Sequence, residues 1–410
     1  MYRVRQQFER PTVDDVAATV VSQMVKPEVR ATLEGAGTVA VAVGSRGIAG
    51  IDVMTRTVVD QLRASGIEPF VVPAMGSHGG ATAEGQRAVL AHLGVTEATV
   101  GAPIRSGMET VQIAEVTTPR GKQVPVVTDA IAWNEADAVV PLNRVKPHTG
   151  FRGQVESGIC KMLAVGLGKH EGAKRMHSEG YEVFDRLLLD MGAVILDAGR
   201  VAFGLAIVEN AFEEPAIIEA IPASRVVERE QLLLDQAREW MPYLPFPVID
   251  VLVVERFGKN ISGVGMDPHV TGRGESGGPL PDFDGAEIAR IVVLDLTPET
   301  EGNANGIGLA DIITQRVFDG IDREVTWTNT LTAGALGCGR IPIALPTEDD
   351  AIAVAARTLA GIPADEARIV RVRDTLYLSE FAVSESLVPA VESLDHCELA
   401  GRWDGTWAIS

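Results

Sequence analysis

"TVAVAVGSRGIAGIDVMTRTVVDQLRAS" (38–65) is the stretch from which the fold can be read. Val39 to Val43 is apolar without a break, as in a strand covered on both faces. A Gly-rich turn follows, and then Ile51, Met54, Val58 and Leu62 recur at helical spacing. Strand, turn and helix in that order form the unit of a parallel sheet, because a parallel neighbour is reached only through a crossover. The pattern returns in "EPFVVPAMG" (68–76), which leads through "SHGG" into "ATAEGQRAVLAHLG" (81–94). Further strand-like runs are "ADAVVPLNRV" (136–145), "RVAFGLAIV" (200–208), "VIDVLVVERF" (248–257) and "ARIVVLDLT" (289–297).

These runs predict an α/β protein with mainly parallel sheets. A chain of 410 residues accommodates two domains. "EWMPYLPFPVID" (239–250) places three prolines after a long helical segment and before a new strand. The expected division is therefore an α/β domain over 1–246 and a second over 247–389, with a tail at about 390–410 packing back on the first. Hydrophobic content of 46% with 5% aromatics and 42 glycines suits buried aliphatic strands that end in Gly-rich loops.

The formal net charge of −20 disfavours nucleic-acid binding, which needs a basic face. Cys160, Cys338 and Cys397 are too few and too far apart for a disulfide framework or a CxxC metal site. No apolar run reaches the length of a membrane span, and "MYRVRQQFERPTVDD" lacks an apolar signal core. A soluble cytoplasmic protein is the expectation.

In open α/β sheets ligands bind beyond the carboxyl ends of the strands. Three loops of the first domain are expected there: "GSRGIAG", "GSHGGAT" and "KPHTGFRG". Each holds one conspicuous polar side chain: Arg46, His78 and His148. Arg46, in a Gly turn ahead of a helix, suits an anion or is an ordinary surface arginine. Gly76, Gly79 and Gly80 around His78 allow a ligand to approach the backbone. His148 follows Pro147, with Lys146 and Arg152 nearby. Lys161, among apolar neighbours in "SGICKMLAVG", is either a snorkelling lysine or an amine held at an apolar site. His177 lies 16 residues beyond it, without HExxH-type spacing.

Taken in register, "GSRGIAG", "PAMGSHGG", "VKPHTGFRG", "ESGICKMLAVGLG" and the histidine 16 residues after the lysine resemble the nickel-dependent lactate racemase family. These are 2-hydroxy acid racemases and epimerases that use a nickel-pincer nucleotide. The resemblance implies that Lys161 tethers the nucleotide, with Ser77 and Gly79 beside it, and that His177 binds the nickel. It further implies His78 and His148 as the acid/base pair, Arg46 as the carboxylate ligand, and an active-site cleft between the domains closed by the second. One histidine would take the hydroxyl proton while the α-hydrogen leaves as hydride. The resulting 2-keto acid would then be reduced on its other face, with the opposite histidine supplying the proton.

Departures from the family bear on substrate choice. The segment between His148 and Lys161 is a few residues longer, and "VAVGS" before Arg46 lacks the acidic residue usual there. In the second domain, Lys259 and Asn260 of "FGKNISGVGMDPHVTGR" stand for a lysine and a glutamine of the lactate enzymes. The implied partners are a small 2-hydroxy carboxylate, larger or more polar than lactate, and the enzymes that make the cofactor. Two other readings stay open: a metal-dependent hydrolase or lyase with His78, His148 and His177 as ligands, and a non-catalytic carrier or sensor of the nickel nucleotide.

Overall fold

The computed structural model describes residues 1–45, 47–275 and 278–408. Among them the strands are β1 (Tyr2–Gln6), β2 (Thr38–Val43), β3 (Glu68–Pro73), β4 (Thr110–Thr117), β5 (Gln123–Asp129), β6 (Ala138–Arg144), β7 (Phe203–Glu209) and β8 (Pro215–Pro222). They continue with β9 (Val248–Phe257), β10 (Glu287–Leu296), β11 (Ile312–Thr314), β12 (Ile343–Leu345), β13 (Ile369–Val372), β14 (Glu380–Val383) and β15 (Cys397–Arg402). The chain divides into two compact units, one of Arg10–Met241 and one of Met1–Glu9 with the chain from Pro242 onward.

The Arg10–Met241 unit is built on a sheet of order β3-β2-β6-β7-β8. β3, β2, β6 and β7 are parallel, and β8 returns antiparallel to β7. Alternate residues serve opposite faces, as the strand's two-residue period requires. Val39, Val41, Val71, Val140 and Leu205 pack with Ile51, Met54, Val58 and Leu62 of the helix Ile51–Ala64. Ala40, Ala42, Phe70, Val72 and Val139 pack with Ile159, Leu163, Leu187 and Leu188 on the other side. Each of the larger side chains, the valines, leucines, isoleucines, Met54 and Phe70, contributes about 1.5–3 kcal/mol of burial. Pro141 has no N–H for the ladder, and accordingly β6 pairs continuously with β7 only from Leu142 onward. β4 and β5 form a separate antiparallel hairpin between β3 and β6.

The other unit holds a sheet of order β12-β11-β10-β9-β13-β14-β1-β15. β12 through β13 are parallel neighbours, and β14, β1 and β15 add antiparallel. Residues 1–9 therefore fall outside the unit in which the 1–246 division puts them. Val4 sits between Phe381 of β14 and Leu399 of β15, so β1 has hydrogen-bonding partners on both edges. In the tail, β15 extends this sheet by pairing with β1. Among the described residues no helix is long and apolar enough to cross a membrane.

Candidate active site

Parallel register brings the three loops to one place. Val43 pairs with Pro73 on one side and with Leu142 on the other, so β2, β3 and β6 end together. A helical segment, Ile159–Lys161 continuing as a π-turn over Met162–Gly166, lies against all three ends. Asn143 Nδ2 of β6 donates to Gly158 O at 2.8 Å, and Gly76 N–H donates to Gly166 O at 3.0 Å. A Cβ at Gly44 would stand 3.1 Å from Met162 Cε, and one at Gly166 would stand 2.7 Å from Ala74 O. Glycine is needed at Gly166 because two backbones meet there, whereas at Gly44 the neighbour is the tip of the Met162 side chain. Lys161 is thereby held in the first helical turn at the carboxyl end of the sheet.

Two of the loops are held by a carboxylate beneath them. Glu209, at the end of β7, pairs with mostly buried Arg144 and accepts Ala49 N–H at 3.1 Å, which ties Ala49 to the end of β7. Burial alone would lower the Arg144 pKa, and Glu209 more than reverses this, so the guanidinium stays charged. Burial raises the Glu213 pKa, against the pull of Arg144 at 3.6 Å. Under the third loop, Glu156 is fully buried and accepts His148 N–H at 2.6 Å and Gly153 N–H at 3.2 Å. Arg238 Nη2 balances it at 2.6 Å, with Arg152 Nη1 at 3.8 Å. Arg152 is thus mostly buried against Glu156.

Glu230 performs the same service for the Lys161 helix. Its carboxylate is 0% exposed and accepts Cys160 N–H at 3.0 Å, which caps the helix from another element. Burial pushes its pKa up to about 7, against the hydrogen bonds from Cys160 and Ile159. Glu230 Oε1 has no hydrogen-bond partner among the described residues. A methyl at Gly158 would overlap this carboxylate. The same carboxylate, after burial itself, drives the buried Cys160 thiol pKa well up, so that cysteine is a poor nucleophile.

The chemical side chains sit on this frame as follows. His78 is exposed, and its Nδ1 lies 2.6 Å from Ser45 Oγ, which links the loops after β2 and β3. His148 is 8% exposed, and Gly150 N–H donates to its Nδ1 at 3.0 Å. The proton of the neutral ring is therefore on Nε2. Its ring lies 4.5 Å from that of Phe151 and 6.1 Å from that of Phe184. His177, exposed on the helix Lys169–Ser178, has its ring 5.3 Å from that of the same Phe184, tilted by 48°. Lys161 is half-buried, with Nζ 3.4 Å from Ser157 Oγ. Ser157 in turn forms a two-bond bridge with Lys146, on the approach to His148.

Other expected residues fare differently. Arg46 lies outside the described residues. Ser77 is half-buried, and its carbonyl accepts Ala81 N–H at 3.1 Å. Gly79 has a reason of its own, since a Cβ there would run into Gly85 at the start of the next helix. Lys259 and Asn260 belong to the other unit. Lys259 Nζ donates to Gly263 O and, at 2.8 Å, to Asn329 Oδ1, while Asn260 Oδ1 accepts from Thr297 Oγ1 at 2.7 Å. Among the described residues no three His, Cys, Asp or Glu side chains gather as a metal-holding group. A hydrolase site with His78, His148 and His177 as joint ligands therefore has no support in the geometry.

The sequence reading missed Ser45, Glu156, Glu209, Glu230 and Lys169. One of them left a visible signal. Glu230 shares the buried stripe of its helix with Val226, Leu233, Leu234 and Ala237, and a carboxylate at an apolar position must have a partner.

Comparison with known proteins agrees with this architecture. A family described as a domain of unknown function, DUF362, matches residues 50–216. No functionally curated protein matches the chain. The lactate racemase apoprotein of Thermoanaerobacterium thermosaccharolyticum is similar in structure, with a TM-score of 0.54 at 13% identity. That similarity covers 91% of this chain and 94% of that one. A structural-genomics protein from Thermotoga maritima gives a TM-score of 0.51 at 13% identity, over 70% of this chain and 72% of its own. The chain has a lactate racemase-like fold.

Proposed function

We propose that the chain is a 2-hydroxy acid racemase or epimerase that works with a nickel-pincer nucleotide tethered through Lys161. The observation that carries this reading is the meeting of the His78 loop, the His148 loop and the Lys161 helix at one end of one parallel sheet. The donor set fits such a group. Lys161 offers one amine beside Ser157, and His177 offers one exposed imidazole seated on Phe184. A metal already held by an organic ligand needs no larger cluster of protein ligands. When bound, the group supplies a reversible acceptor for the hydrogen on the substrate's α-carbon.

The chain's own residues handle the proton. The Ser45 hydroxyl can donate or accept, so it supports either tautomer of His78. With Nδ1–H donated to Ser45, His78 Nε2 is bare and can take the substrate's hydroxyl proton. His148 is not its equal. Holding a second proton on Nδ1 requires breaking the Gly150 hydrogen bond, at a cost of about 1 kcal/mol. His148 in its resting form is a hydrogen-bond donor through Nε2, and it becomes an acid only as the 148–150 turn loosens.

We assign the substrate carboxylate to Arg46, in the Gly-rich segment that follows β2 in the sequence. The test is intact-protein mass and metal content after co-expression with the cofactor's biosynthetic enzymes, for wild type and Lys161→Ala. An added nucleotide mass with stoichiometric nickel, both absent in the variant, supports the assignment. Unmodified protein in cells that load a known lactate racemase refutes it. Loaded His78→Ala then separates an enzyme, which would stop inverting 2-hydroxy acids, from a carrier, which would be unaffected.

A further inference from the structure

Lys169 is 0% exposed and is not used by the chemistry proposed above. Its backbone is left-handed, with φ +54°, a conformation that costs a non-glycine residue roughly 1 kcal/mol. Glycine would avoid that cost, so the side chain has to be what is required. Nζ donates to Pro73 O at 2.6 Å and to Gln86 Oε1 at 3.2 Å, and lies 2.8 Å from Asp129 Oδ2. These partners come from the end of β3, the helix Ala83–His92 and the end of β5.

Gln86, equally buried, uses its other end on the His78 loop. Its Nε2 donates to Gly76 O at 2.8 Å and reaches His78 O at 3.4 Å. Lys169 also opens the helix that ends with His177 and Ser178. One ammonium thus sits at the root of both the loop bearing His78 and the helix bearing His177. Asp129 spends its other oxygen on Ala132 N–H at 2.8 Å, so the pair is braced on both sides.

We propose that Lys169 is a positioning residue that, through Gln86, sets the backbone of the His78 loop and ties it to the His177 helix. The proposal rests on the roles given above to His78 and His177, yet its test needs no cofactor. Lys169→Met alone would strand a buried carboxylate. Lys169→Met with Asp129→Asn removes both charges and keeps the acceptor for Ala132. Gln86→Leu cuts the link to the loop and leaves the Lys169–Asp129 pair in place.

The measurement is amide hydrogen exchange at His78 and Ala81, whose N–H groups bond to Met75 O and Ser77 O, together with the imidazole NMR signal of His78. Loss of one buried hydrogen bond corresponds to about tenfold faster exchange. Both variants should show this change at the loop and a shifted His78 signal, with Leu205 in β7 unchanged. Wild-type loop exchange and an unshifted His78 in Gln86→Leu would overturn the proposal, whether or not the double variant folds. So would a stable double variant with an unaltered loop, which would reduce Lys169 to a counter-charge for Asp129. Failure of the racemase assignment would show in cofactor loading and leave these exchange rates as they are.

Discussion

Glu230→Gln isolates the buried carboxyl beneath the Lys161 helix. The folded pKa of about 7 stands about 2.5 units above the ordinary 4.5, because burial outweighs the hydrogen bonds from Cys160 and Ile159. At 1.36 kcal/mol per unit the linkage is worth about 3 kcal/mol. The sign follows from a raised pKa. Stability from this group is complete below about pH 4.5 and is lost as pH rises through about 7, because the unfolded chain releases the proton first. Native-state exchange of the Cys160 amide, corrected for intrinsic rate, reads the stability at the place where Glu230 acts. In wild type the opening constant should grow roughly 100-fold between pH 4.5 and 8. Glutamine mimics the protonated acid and should flatten that profile while matching wild type at the acidic end. Parallel profiles in the two proteins would refute the reasoning, since the carboxyl would then be relaxed by solvent or by movement of the helix.

Other expectations follow from the same contacts. Ser45→Ala removes the hydroxyl at His78 Nδ1 and should lower turnover about tenfold with little change in KM, as kinetics of loaded enzyme will read. Gly158→Ala forces a methyl onto the Glu230 carboxylate and should cost about 1–3 kcal/mol in urea unfolding, with Glu230→Ala in the same chain restoring part of it. Glu156→Gln removes the carboxylate that faces Arg238 Nη2, while Arg238 keeps Asp235 at 2.7 Å, and should weaken the hold on the His148 loop, seen as faster exchange at His148 and Gly153 N–H. His177→Ala should keep the nucleotide mass on Lys161 and lose nickel, whereas Lys161→Ala loses both; loss of the mass alone would contradict the assignments.

What the sequence made legible was short-range. Ile51, Met54, Val58 and Leu62 announce one helix face within twelve residues, and all four are buried against alternate residues of β2 and β3. The Gly turns after Val43 and Pro73 likewise disclose where strands end, and parallel pairing then gathers His78 and His148 at one end of the sheet. The assignment of residues 1–9 failed because nothing near Val4 says which sheet edge it will complete; its partners are Phe381 and Leu399. The support of the site was hidden for the same reason. Lys169 meets Asp129 and Pro73, Glu230 meets Cys160, and Glu209 meets Arg144 and Ala49, each across tens to more than a hundred residues. Local pattern cannot join such pairs, but it can show that one member must have a partner. Glu230 and Gln86 both occupy buried positions on amphipathic helices, where an unsatisfied polar group would cost a few kcal/mol. Each bonds to the backbone of a loop or helix end in the candidate site, Glu230 through one carboxylate oxygen and Gln86 through Nε2, so a polar residue out of place on a helix stripe points here to the chemistry it supports.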